Sequence, residues 1–302
     1  MTPDRPFFGI LLMLGFCVLA PLSDAIAKLL GETVALVGLI CVRFGVQAAM
    51  LVPIVLLRGG NLKTPPGAFP KILLRTCLHI AGIALMFSSL RYLPLADALA
   101  IAFVMPFIML ILGHFVLHET VGTHRIWACA VGFIGTLLVI QPNFMAVGWP
   151  ALLPLGVAVV FALFMLVTRQ IAKSIDAVHL QAVSGLQALV ILIPLLLLFP
   201  NTPGFDFTWP EGSTVWLLLV LGVLGTIAHL MMTGSLRFAP ASTLAPMQYL
   251  EIPFGTAIGW LIFKDLPNGL AAIGICITVG AGLYIIIREQ RLARLQAVTA
   301  AK

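Results

Sequence analysis

The chain has 302 residues, 61% hydrophobic and only 9% charged, with mean hydropathy +1.12 and net charge +6. A soluble domain carries roughly 25% charged residues, so this chain cannot cover a water-facing surface and lipid must be its solvent. Its apolar runs are continuous, which argues against the alternating pattern of a membrane β-barrel, and no loop is long enough for a soluble domain.

A hydrocarbon core about 30 Å thick takes roughly 20 apolar residues per helix. In chain order, ten spans are predicted: 7–30, 34–57, 70–92, 95–117, 123–141, 150–172, 178–199, 213–237, 241–263 and 268–287. Gly31 follows Lys28-Leu29-Leu30 as a helix C-cap. Pro65-Pro66, Pro94, Pro200 and Pro210 fall in loops or at helix starts. Pro53, Pro106, Pro194 and Pro253 lie inside spans and are expected to kink them. Asp97, just after Pro94, reads as a helix N-cap. Cys17, Cys41, Cys77, Cys129 and Cys276 all fall within spans without CxxC spacing, so they read as free apolar thiols. The first span has Arg5 ahead and small residues after it, in the manner of a signal peptide. It is expected to stay, since its removal would unbalance the paired halves described below.

Charge placement sets the topology, because Lys and Arg concentrate in cytoplasmic loops. With the N-terminus inside, the inner segments carry Arg5; Arg58, Lys63, Lys71 and Arg75; Arg125; Arg169 and Lys173; Arg237; and Arg288, Arg291, Arg294 and Lys302. The outer ends carry only Lys28, Arg91 and Lys264, and Arg43 is left within a span. A multi-pass protein of a bacterial-type cytoplasmic (inner) membrane is expected, with both termini cytoplasmic. The basic balance is thus a topology signal and gives no reason to invoke nucleic acid.

Each half contains the same passage. Ser89-Leu90-Arg91-Tyr92-Leu93-Pro94 opens an apolar run ending at His118-Glu119, and Ser235-Leu236-Arg237-Phe238-Ala239-Pro240 opens another of equal length ending at Lys264-Asp265. Gly113 and Gly259 fall at matching places. Ile26-Ala27-Lys28 is echoed by Ile171-Ala172-Lys173, and Val131-Gly132 with Gly135 by Val279-Gly280 with Gly282. Such small residues let membrane helices approach closely. Five spans per half give the halves opposite orientations, the arrangement many secondary transporters use around a midplane site. The expected fold class is therefore an all-α integral membrane protein, its ten transmembrane helices forming two inverted five-helix repeats. Residues 1–145 make the first repeat, and 146–302 the second with a short basic cytoplasmic tail.

On these residues the chain resembles the drug/metabolite transporter superfamily, in its ten-helix EamA branch. The most specific element is the acidic residue after each fourth span, Glu119 and Asp265, followed by a glycine-bearing fifth span. The resemblance implies a central cavity between two inverted repeats and no ATPase. Family members move amino acids, nucleosides, sugars, riboflavin, S-adenosylmethionine and other metabolites, some inward and some outward. The opening Pro21-Leu22-Ser23-Asp24-Ala25-Ile26-Ala27-Lys28, with Arg43 in span 2, looks like the subgroup of riboflavin and S-adenosylmethionine importers.

An ionisable group inside a membrane costs roughly 3 kcal/mol or more, so each is a functional candidate. These are Asp24, Arg43, His79, His229 and Glu251, with Lys28 nearer the boundary. Glu251 lies about ten residues from either end of span 9, roughly 15 Å deep at 1.5 Å per residue. Leu244, Gln248, Glu251, Gly255 and Gly259 share one helical face, while Leu250, Ala257, Trp260 and Leu261 form an apolar face that suits lipid. Glu251 reads as a substrate or coupling group, or as a buried glutamate that ties two helices. Asp24 and Arg43 lie at similar depth in adjacent spans and read as a structural ion pair or as a substrate clamp or outer gate. Lys28 is a second partner for Asp24 at helical spacing. The guanidinium of Arg43 suits an acidic or carbonyl-bearing substrate, and Gln47 shares its face. His79 and His229 read as helix-packing groups or a proton relay. His114, His118 and His124 lack metal-ligand spacing. Phe103, Phe107, Tyr249 and Trp260 could stack on a ring-shaped substrate. The candidate substrate-binding set is Asp24, Arg43, Gln47, His79, Gln248, Tyr249 and Glu251.

There is no GxxxxGK[ST], no GxGxxG after a strand, no HExxH and no GxSxG. No catalytic residue, metal or cofactor is expected. The leading reading is a secondary transporter for a small organic metabolite, with riboflavin uptake first, and S-adenosylmethionine uptake or efflux of amino acids or drugs behind it. A lipid-modifying integral-membrane enzyme is the rival class. It would need polar groups converging near one membrane face, and the sequence offers isolated ones at different depths. The expected partners are the substrate and the lipid bilayer. A carboxyl group at Glu251 or Asp24 could carry a proton, which leaves proton coupling and facilitated exchange both open. The chain is expected to act as a monomer.

Overall fold

The computed structural model describes residues 5–118, 122–200, 202–266 and 269–300. Glu119, one of the two acidic residues behind the family resemblance, and Lys302 lie outside them. The first half comprises α1 (Pro6–Leu30), α2 (Leu36–Leu57), α3 (Phe69–Ser89), α4 (Leu95–Ala102), α5 (Met105–Phe115) and α6 (Thr123–Val147). A short 3-10 turn over Trp149–Leu152 leads into α7 (Leu153–Ala172), α8 (Ala177–Leu198), α9 (Ser213–Phe238), α10 (Ala241–Gln248), α11 (Glu251–Phe263) and α12 (Gly269–Ala300). Seven segments are long and apolar enough to cross a membrane, the α4–α5 pair counting as one. The shorter apolar stretches Ile126–Leu138, Glu251–Phe263 and Ala272–Tyr284 account for spans 5, 9 and 10.

Two predicted spans are each two helices. Span 4 breaks at Phe103-Val104 and span 9 at Tyr249-Leu250. The separation between the breaks equals that between Ser89 and Ser235, so the repeat extends to the backbone. Pro106 and Pro253 explain the positions. Each stands in the first turn of the resumed helix, where a missing N–H costs nothing. Both were expected to kink a continuous helix, and they start one instead. At the second break, Pro253 cannot donate to Tyr249 O, and the Ile252 N–H does so at 3.3 Å. The repeat also shows at the span ends, where His118 (φ 53°) and Lys264 (φ 61°) occupy matching left-handed positions. Among prolines within helices are Pro21, Pro53 and Pro194.

Helix packing follows the exchange of halves. α1 packs on α9, and their repeat counterparts α7 and α3 pack on each other. α2 packs on its own counterpart α8, and α6 on its counterpart α12. The protein is an all-α membrane protein of ten spans in two inverted five-helix repeats. The Arg5 N–H donates to Phe238 O (2.7 Å), joining two predicted inner ends. The Val37 N–H donates to Gly204 O (3.0 Å), joining two predicted outer ends.

Glycine sets the α6–α12 approach, since a Cβ on Gly135 would stand 2.5 Å from Thr278 Oγ1 and 2.6 Å from Gly274 O. The echo at Gly280 is no such contact, because open space surrounds its Cβ position. Three further expectations change. The N-cap of α4 is Pro94, with Asp97 in the first turn, where a carboxylate still favours the helix dipole. Gly31 caps α1 with right-handed backbone (φ −65°), which any residue can adopt. Residues 288–300 of the basic tail continue α12 as helix.

Candidate substrate cavity

A cavity of about 80 Å³ lies between the halves, walled by α1, α2, α3, α4, α5, α7, α9 and α11. Phe16, Phe87, Phe103 and Phe161 supply aromatic surface, and Asp24, Arg43, His229 and Glu251 supply the ionisable groups. A drug-sized ligand needs roughly 300–1,000 Å³, so the helices must part to admit one.

Arg43 is buried, with its guanidinium against α9. Its Nη2 stands 2.9 Å from His229 Nδ1 and 3.5 Å from Gly225 O. A Cβ at residue 225 would meet Arg43 Nε at 2.6 Å, so glycine leaves the space the guanidinium occupies. This corrects the expected Asp24–Arg43 ion pair, since no oxygen of Asp24 lies within 4 Å of the guanidinium. Depth alone matched the two, and the closer partner came from the other half of the chain.

Asp24 and Glu251 line the same cavity, and Asp24 lies within electrostatic reach of both Arg43 and Glu251. Glu251 is the first residue of α11, directly after the break in span 9. Predicted at mid-span in a continuous helix, it stands instead at a helix N-terminus. Lys28 does not bond Asp24. Its Nζ lies 3.7 Å from Asp265, donates to Leu93 O (3.1 Å) and sits 4.8 Å above the Phe263 ring. The acidic residue after span 9 thereby ties that span to the end of α1.

The other candidates stand outside the cavity wall. Gln47 Nε2 donates to Gln181 O at 2.8 Å, joining α2 to α8. Gln248 Nε2 contacts Met165 Sδ at 2.9 Å. Tyr249 fills the span 9 break, its hydroxyl donating to Cys129 O (3.2 Å) and its ring 5.8 Å from Phe103. His79 stacks on Phe164 at 4.6 Å and touches the His229 ring at 4.3 Å, with both ring nitrogens unpartnered among the described residues. Phe107 stacks on Phe133, while Trp260 and Leu261 face outward as expected. Leu250, assigned to the same lipid face, is buried beside the break.

The profile of the EamA-like transporter family matches this chain twice, over residues 7–141 and 148–288. The chain belongs to the EamA-like transporter family. It is 30% identical to a riboflavin transporter of Rhizobium johnstonii over 74% of this chain and 72% of that one. It is 24% identical to an S-adenosylmethionine uptake transporter of Rickettsia prowazekii over 94% of each. A solved crystal structure superposes with TM-score 0.72, covering 95% of this chain and 98% of its own at 19% identity, which shows the same fold.

Sequence reasoning missed one polar centre of this EamA-like transporter. Arg75 was counted among inner-segment charges, yet it is fully buried in α3. Its Nε, Nη1 and Nη2 donate to Thr168 Oγ1 (2.9 Å), Ser184 Oγ (2.9 Å) and Thr233 Oγ1 (3.2 Å). Its guanidinium also lies 4.6 Å from the Phe164 ring centre. One arginine from the first half thus binds α7, α8 and α9 of the second. The three hydroxyls, each at a polar position in an apolar helix, were the available signal.

Proposed function

We propose that this EamA-like transporter takes up riboflavin across a bacterial inner membrane, with both termini cytoplasmic and the chain acting as a monomer. The observation that carries this reading is a midplane cavity walled by phenylalanine rings and furnished with an arginine, a histidine and two carboxyl groups. A flat tricyclic ring suits the aromatic faces, and a ligand rich in carbonyls and hydroxyls suits the polar groups. The relatives named as riboflavin transporters lend support.

The repeats 1–145 and 146–302 are the bodies that rock about this site. Cavity residues come from the middle and outer parts of their helices, under the orientation set by the Lys/Arg bias. Arg75 and its hydroxyl partners lie nearer the inner ends, where they hold α3 against α7, α8 and α9. Loading from outside therefore leaves that network intact, and release inward requires it to part.

S-adenosylmethionine is the second reading, favoured by the two carboxyl groups at Asp24 and Glu251, which suit a cationic sulfonium. Growth separates the two. Expression in a riboflavin auxotroph should lower the external vitamin needed, while S-adenosylmethionine accumulation with no riboflavin effect would favour the second.

A further inference from the structure

The cavity wall carries unlike groups whose hydrogen-bonding capacity is set by their neighbours. Arginine only donates, so the 2.9 Å contact between Arg43 Nη2 and His229 Nδ1 requires an unprotonated Nδ1. The neutral ring then carries its proton on Nε2. Gly225 O, 3.5 Å from Nη2, accepts from the same guanidinium nitrogen. Both other outlets of this pair are unpartnered: Arg43 Nη1 and His229 Nε2 are buried without a hydrogen-bond partner among the described residues. Arg43 is 2% exposed and His229 7%. Leaving such donors empty is costly in a low-dielectric interior, so their place on a cavity wall points to a ligand group that accepts hydrogen bonds. Two carboxyl groups, Asp24 and Glu251, line the same cavity. A carboxylate only accepts, so it suits hydroxyl or amine donors.

We infer that the cavity reads two chemically opposite ends of one ligand: Arg43 and His229 hold an acceptor edge such as a ring dione, and Asp24 and Glu251 hold a donor-bearing tail such as a polyol. The inference rests on the riboflavin reading and orients that molecule. The dione edge of the tricyclic ring faces Arg43 Nη1 and His229 Nε2. The ring lies among Phe16, Phe87, Phe103 and Phe161, and the sugar-alcohol chain runs toward Asp24 and Glu251. His229 becomes a specificity-determining residue with a defined tautomer, and Gly225 is the position that makes room for its arginine partner.

The test is a binding cycle on the purified full-length protein in lipid nanodiscs, read by quenching of flavin fluorescence. Riboflavin is compared with lumiflavin, which keeps the dione ring but has a methyl group in place of the polyol. Wild-type protein should prefer riboflavin by about tenfold or more, a difference worth 1.4 kcal/mol per tenfold. Asp24→Asn and Glu251→Gln should shrink that preference, chiefly by weakening riboflavin. His229→Phe should weaken both flavins together and leave their ratio unchanged, and His229→Gln, which restores an N–H donor, should recover part of the loss. Riboflavin binding in which His229→Phe alters the ratio, or in which the acid variants do not, overturns the orientation. Absence of riboflavin binding by folded wild-type protein instead overturns the substrate reading beneath it.

Discussion

Gly225→Ala adds one methyl group to α9 and should disable the cavity without unfolding the protein. The new Cβ would stand 2.6 Å from Arg43 Nε and 3.0 Å from Cζ and Nη2. Those atoms belong to the far end of a flexible side chain, so the guanidinium swings away and the backbone stays. Alanine in a helix interior is itself favoured over glycine by about 1 kcal/mol, so thermal stability should hold or rise. What is lost is the 2.9 Å contact with His229. A hydrogen bond to a charged group contributes roughly 1.5–3 kcal/mol, which converts to a loss of about ten- to a hundredfold in kcat/KM if the pair binds substrate. The assay is initial-rate uptake into proteoliposomes at several substrate concentrations, with melting followed on the same preparation. Gly280→Ala is the matched control, since nothing lies within 4 Å of its Cβ position. Unchanged uptake by Gly225→Ala, in protein of normal stability, would refute the role given to Arg43's placement.

Three other outcomes are expected. Glu251→Gln should abolish or strongly reduce uptake while membrane expression stays near normal, because the carboxylate lines the cavity at the span 9 break; immunoblotting of membranes beside the transport assay checks this. Arg75→Met should lower the melting temperature, since it leaves three hydroxyls on α7, α8 and α9 without their shared charged donor; the loss is on the order of 3 kcal/mol, and an unshifted melt would remove Arg75 from any closing role. Reporter fusions after Gly67 and Lys302 should report cytoplasm and those after Gly148 and Pro203 periplasm, whereas a periplasmic C-terminus would contradict the proposed orientation.

The ten spans were legible because a twenty-residue apolar run is a one-dimensional signal. The repeat was legible because Ser89–Pro94 and Ser235–Pro240 copy each other in sequence. The breaks at Phe103-Val104 and Tyr249-Leu250 were hidden, although Pro106 and Pro253 marked them. In an unbroken apolar run, a proline that kinks a helix reads the same as one that starts a helix. At the site, burial cost singled out Asp24, Arg43 and Glu251, and all three line the cavity. Pairing could not be read the same way. Arg43 takes His229, which is 186 residues away, over Asp24 in the neighbouring span. Gln47 and Gln248 share faces with cavity residues, yet their amides are occupied by Gln181 and Met165. Arg75 stood close enough to a loop to read as a topology charge, and only the convergence of three helices shows why it is buried.

The most direct test of the account is labelled riboflavin uptake into proteoliposomes holding the purified, verified full-length protein. Accumulation above protein-free vesicles, suppressed by excess unlabelled riboflavin and lost in Glu251→Gln, is the predicted result. Riboflavin entry no faster than into empty vesicles, from protein that is folded and inserted, would contradict it.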